Sequence, residues 1–106
     1  MKTVNIDIMN HFVSFRIGQK ASDHHPMLDD SNPSDIWFHL ENRPSCHIIA
    51  SIPNNISRET VKKIIRHGIR LSKEHATLKE KSVNVIYRRV RNVFKGTIEG
   101  QVILDV

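Results

Sequence analysis

Asp35-Ile36-Trp37-Phe38-His39-Leu40 and, beyond a turn spanning Glu41 to Pro44, Cys46-His47-Ile48-Ile49-Ala50-Ser51-Ile52 are the stretches on which the fold turns. Both alternate with the period of two that belongs to β-strands. Ile36, Phe38 and Leu40 point one way, and Asp35, Trp37 and His39 the other. In the second stretch Cys46, Ile48, Ala50 and Ile52 form one face, with His47, Ile49 and Ser51 opposite. Paired as a hairpin, the strands bring His39 and His47 together on the face away from Phe38.

Upstream, Val4-Ile6-Ile8 and Val13-Phe15-Ile17 also alternate, and Asn10-His11 is the expected turn between them. Gly18 to Ser34 shows no sustained period and contains Pro26 and Asn32-Pro33; Ala21-Ser22 permits one helical turn there. Downstream, Pro53-Asn54-Asn55 ends the strand and Ser57 is suited to cap a helix over about 57–75. Val61, Ile64, Ile65, Gly68, Ile69 and Ser72 share one side of that helix. Lys62, Lys63, Arg66, Arg70 and Lys73 share the other. Gly68 on the apolar side suggests a close approach to the sheet. Val83-Val85-Tyr87 reads as a strand. After it Val90, Asn92 and Phe94 are expected to face opposite to Arg89, Arg91, Val93 and Lys95, and Val102-Leu104-Val106 alternates beyond the Gly96–Gly100 turn. The class is α+β: a mixed or antiparallel sheet with one main amphipathic helix on it, in a single domain over 1–106.

The net charge of +5 is unevenly distributed. Residues 1–57 carry four Lys/Arg against six Asp/Glu, whereas residues 58–95 carry twelve against three. Clustered positive charge draws polyanions by counterion release, though it is also the ordinary make-up of a solvated helix face. Lys62, Arg66 and Arg70, four residues apart, form a row about 12 Å long on a helix. Arg88, Arg89, Arg91 and Lys95 add further donors, the arginines with a fork suited to phosphate oxygens. Trp37, the sole tryptophan, is either covered by another element or exposed for base stacking. His24, His25, His39, His47, Asp29, Asp30 and Asp35 are of metal-ligating types but lack a tight ligand spacing, and no cofactor motif is present. His39 and His47 as an acid–base pair would make a nuclease, with no further motif behind that reading. Cys46, the lone cysteine, falls on the apolar face, away from nucleophilic work, and a reducing intracellular setting is expected. No apolar run approaches the length of a membrane span, and no membrane partner is expected.

Asp35-Ile36-Trp37-Phe38-His39 with Pro44-Ser45-Cys46-His47-Ile48-Ile49 resembles the Asp-x-Trp-x-His strand and Pro-Gly-Ser-His turn of the NFACT-R domain family. Gly18-Gln19-Lys20-Ala21, Ser72-Lys73, Tyr87 to Val93 with Lys95, and Gly100-Gln101-Val102 resemble further family segments in the same order. The chain departs at Ser45-Cys46, where the family has Gly-Ser, at His24-His25, where it has Asn-Asp, and at Gly96, where Pro often stands. The resemblance implies a non-enzymatic RNA-binding module acting on tRNA or ribosomal RNA in a ribosome-quality-control setting. It makes Asp35, Trp37, His39, Pro44, Ser45 and His47 a family-motif face. Binding of DNA or other polyanions, or docking on a protein partner, are the alternative expectations.

Overall fold

The computed structural model describes residues 1–41, 45–76 and 83–104. The elements run β1 (Lys2–Ile8), β2 (His11–Gly18), α1 (Ala21–Asp29), β3 (Ile36–Leu40), β4 (His47–Ala50), α2 (Arg58–Glu74), β5 (Val85–Arg89), a 3₁₀ turn (Val90–Asn92), β6 (Val93–Lys95) and β7 (Val102–Leu104). Five strands form one sheet in the order β1-β2-β4-β3-β5, with every pairing antiparallel, and β6 and β7 form a separate two-stranded ribbon. The α+β reading with one main helix on an antiparallel sheet holds. The turn after Glu41, which includes Pro44, and the expected strand residue Val106 lie outside the described residues.

Alternation along the strands sorts the side chains into two cores. Val13, Phe15, Ile17, Ile36, Phe38, Ile48 and Ala50 pack with Ile64 and Leu71 of α2 on one face. On the other, Trp37 and Ile49 pack with Met27 and Leu28 of α1 and with Val90 and Val93. A sheet covered on both faces explains why all four residues of β4 are buried.

The α2 helix begins where Ser57 Oγ accepts the Thr60 amide at 3.1 Å. Its buried line is Thr60, Ile64, Gly68, Leu71 and Ser72. Gly68 is there because Phe38 is beneath it: a Cβ on residue 68 would clash with the tip of the Phe38 ring. The first hairpin turns on Met9 and Asn10, both left-handed (φ 51° and 65°), one residue earlier than expected. His11 is thus the first residue of β2, opposite Ile8, and the inward phase of Val13, Phe15 and Ile17 is as read.

Two expectations are corrected. Ala21-Ser22 opens a nine-residue helix in place of a single turn. His24, Met27 and Leu28 bury one side of it at helical spacing, while Pro26 sits on the exposed side. There its missing N–H removes the helical donor to the carbonyl of Ser22, itself an exposed residue. Beyond β5 the chain does not continue as an alternating strand. The 3₁₀ turn, held by Val90 N–H to Asp35 O (2.8 Å) and Arg91 N–H to Pro33 O (3.1 Å), resets the phase. Val90 and Val93 are therefore both buried and Phe94 is half-exposed, the reverse of the expected pairing of Phe94 with Val90.

Candidate functional site

The antiparallel register of β3 and β4 sets Trp37 opposite Ile49. Two positions further along, past Phe38 and Ile48, the same register brings His39 and His47 together, ring centroids 4.8 Å apart and perpendicular, as the period of two requires. Trp37 and His47 are closed to solvent, while His39 is half-buried. Trp37 is 1 % exposed and His47 5 %, because α1 lies over them and stacks His24 on His47. The Trp37 indole N–H donates to His47 Nδ1 at 3.1 Å, and Trp37 also stacks on His39. His24 Nε2 bonds to the Gly18 carbonyl at 3.1 Å, while its Nδ1 has no hydrogen-bond partner among the described residues.

The His47 pKa is pushed down to about 3, first by burial and then by the neighbouring His24, His39 and His25. That of His39 is also lowered, chiefly by burial, against the bond from its Nδ1 to the Leu40 carbonyl. Both rings are therefore neutral near pH 7. Of the alternatives for Trp37, the covered one is found, and base stacking on this residue is ruled out by its burial. Among the described residues no group of three or more His, Cys, Asp or Glu side chains converges to hold a metal ion. Burial also raises the Cys46 thiol pKa, away from thiolate chemistry.

Asp35 anchors this layer. Its carboxylate accepts the Asn32 amide through Oδ2 and the Ile52 amide through Oδ1, both at 3.0 Å, and lies 4.0 Å from the Arg16 guanidinium. Ser45 Oγ accepts the Leu40 amide at 3.1 Å and donates to the Cys46 carbonyl. The motif residues Asp35, Trp37, His39, Ser45 and His47 thus act on one another and on backbone, as a packing and hydrogen-bonding framework.

The cations are distributed differently. Lys62, Arg66, Arg70 and Lys73 are exposed along the outer side of α2, and Lys63 is half-buried with its Nζ 3.2 Å from Met9 Sδ. Arg70 is engaged by Glu74 at 2.8 Å and by His67 Nδ1. Lys62, Arg66 and Lys73 have no carboxylate partner among the described residues. A depression of about 310 Å³ between Lys63, Arg66, His67 and Arg70 runs along the helix.

On β5, Arg89 projects on the α2 side opposite Ile36 and donates to the Ser34 carbonyl. Arg88 projects on the other side opposite Trp37 and donates to the Tyr87 carbonyl. Where α2 meets this edge strand, Ile36, Ile65, Tyr87, Arg88 and Arg89 line a groove of about 330 Å³. Lys62 precedes Ile65 by three residues, about one turn, on the same helix. The helix reaches Arg88 and Arg89 through Ile65 at this groove, but the nine basic residues are not one surface. Lys95 belongs to the layer beyond the sheet, paired with Asp29 of α1 at 2.7 Å, and Arg91 is exposed on the 3₁₀ turn. Sequence reasoning missed Tyr87 as a surface feature; the signal was its position on a strand beside two arginines.

No helix among the described residues is long and apolar enough to cross a membrane. No known protein-family profile matches the sequence, and no curated protein matches it either. Among solved structures, the C-terminal part of the fibronectin/fibrinogen-binding protein from Streptococcus suis matches with a TM-score of 0.77 over 100 % of this chain, at 14 % identity. This chain spans 43 % of that structure. At such low identity the likeness carries the fold alone.

Proposed function

We propose that this chain is a non-enzymatic RNA-binding module of the NFACT-R kind, which takes the phosphate backbone of tRNA or ribosomal RNA on the outer side of α2 and the adjoining β5 edge. The observation that carries this reading is the exposed Lys62–Arg66–Lys73 side of α2, without carboxylate partners among the described residues, on the helix whose Ile65 shares a groove with Arg88 and Arg89. A cation without a carboxylate partner is free to neutralise a phosphate and release a counterion condensed on the nucleic acid, whereas one already paired, such as Lys95 with Asp29, contributes less. The motif face, in this reading, holds the scaffold and does not touch the ligand. A cytoplasmic, ribosome-associated setting follows from the family resemblance.

Titration with tRNA at several salt concentrations tests the proposal. Binding should weaken steeply with salt, and Lys62→Glu with Arg66→Glu should reduce both affinity and the salt slope. Absence of binding at low salt, or binding indifferent to salt, would overturn it. Competition with DNA of the same length separates RNA from general polyanion recognition through the 2′-OH. The name of the streptococcal neighbour makes fibronectin and fibrinogen the appropriate protein controls.

A further inference from the structure

We infer that the groove between β5 and α2 is a subsite for an unpaired nucleotide, in which the base stacks on Tyr87 and the flanking phosphates meet Arg88, Arg89 and Lys62. The inference rests on the RNA reading above and extends it from backbone contact to a preference for single strands.

Tyr87 is 42 % exposed although it stands on a strand of the main sheet. One side of its ring is held by Phe38, centroids 6.3 Å apart and tilted by 41°, which fixes the ring without covering it. The β5 strand is at the end of the sheet order, so among the described residues no strand flanks it on the outer side. Alternation puts Tyr87 and Arg89 on the α2 face and Arg88 on the opposite one, so cationic groups lie on both sides of the edge. The groove floor, Ile36 and Ile65, is apolar and suited to the edge of a base. An aromatic platform flanked by forked cations is the arrangement that single-stranded nucleic acid requires, because every base has a π-face and every linkage a phosphate. A duplex offers only its phosphates to such a site, since its bases are already stacked on one another. Charge decides the class of occupant: an apolar or basic segment would leave Arg88, Arg89 and Lys62 facing no counter-charge, whereas a polynucleotide supplies one at each step.

The test compares a single-stranded oligoribonucleotide of about 12 nucleotides with a duplex of equal length, at fixed salt, on the whole chain. Wild type should prefer the single strand. Tyr87→Leu, which keeps apolar cover over Phe38, should lower single-strand affinity about 5- to 150-fold. Its duplex affinity and salt slope should stay unchanged. Tyr87→Phe should retain the preference. If Tyr87→Leu binds the single strand as tightly as wild type while Lys62→Glu and Arg66→Glu weaken both ligands, the subsite is wrong and the phosphate surface stands. If wild type binds neither RNA, both readings fall.

Discussion

The imidazole rings of His24 and His47 lie face to face, centroids 3.5 Å apart and 9° from parallel, one from helix α1 and the other from strand β4. This contact seats α1 on the sheet. It is compatible with a neutral His47, whose Nδ1 is already occupied as an acceptor by the Trp37 indole N–H. A proton on that nitrogen would cancel the bond and set a charge against a stacked neighbour.

The protein should therefore lose stability on mild acidification. His47 takes up its proton near pH 6.5 in the unfolded chain and only at about pH 3 in the folded one. Between those values the unfolded state binds more protons, so stability falls as pH falls, with no loss from this group above its unfolded pKa. From pH 7 to 5, a window above most carboxylate titration, His47 alone should cost about 2 kcal/mol. The lowered His39 pKa acts in the same direction. Urea denaturation at the two pH values measures the loss, and His47→Asn should shrink it. An equal loss in that variant would remove His47 from the explanation.

Gly68→Ala should destabilise the fold despite the better helix propensity of alanine. Propensity alone would favour alanine by about 1 kcal/mol. The added Cβ, however, meets the Phe38 ring, which is fully buried and has nowhere to go. Overpacking of this kind costs about 1–3 kcal/mol. A lower urea midpoint with an unchanged slope is expected, partly restored by Phe38→Leu; a raised midpoint would contradict the packing.

Trp37→Phe should lower stability by about 2–3 kcal/mol through a lost hydrogen bond and a residual cavity. RNA affinity, measured well below the melting temperature, should not change, because the indole is covered by α1 and its neighbours. A selective loss of binding in a folded variant would show that Trp37 reaches the ligand.

Glu74→Gln should strengthen RNA binding at low salt. Glu74 holds Arg70 at 2.8 Å on the exposed side of α2 and offsets its charge. An exposed pair is worth only about 0.5 kcal/mol, so roughly a twofold gain is expected, vanishing at high salt. Unchanged or weaker binding would place Arg70 outside the contact surface.

The faces of β3 and β4, the phase of β2, the extent of α2 and the close approach at Gly68 are all legible in the sequence, because each rests on a short-range period or one missing Cβ. Helix α1 is less so: His24, Met27 and Leu28 keep helical spacing, but a histidine counted as polar and Pro26 in the middle conceal it. The 3₁₀ turn after β5 is concealed for another reason. It is set by hydrogen bonds to Pro33 and Asp35, more than fifty residues away.

The sequence by itself thus determined which residues share a face and that positive charge gathers after residue 57, both properties of local periodicity and composition. Only the tertiary structure decided what each face meets. By laying α1 over Trp37 and His47 and the β6–β7 ribbon over Trp37, it made most of the motif face a core and left His39 half-buried. By ending the sheet at β5 beside α2, it left Tyr87 and its neighbouring arginines at the surface. Burial depends on which distant segment covers a strand, and no alternation along that strand encodes it.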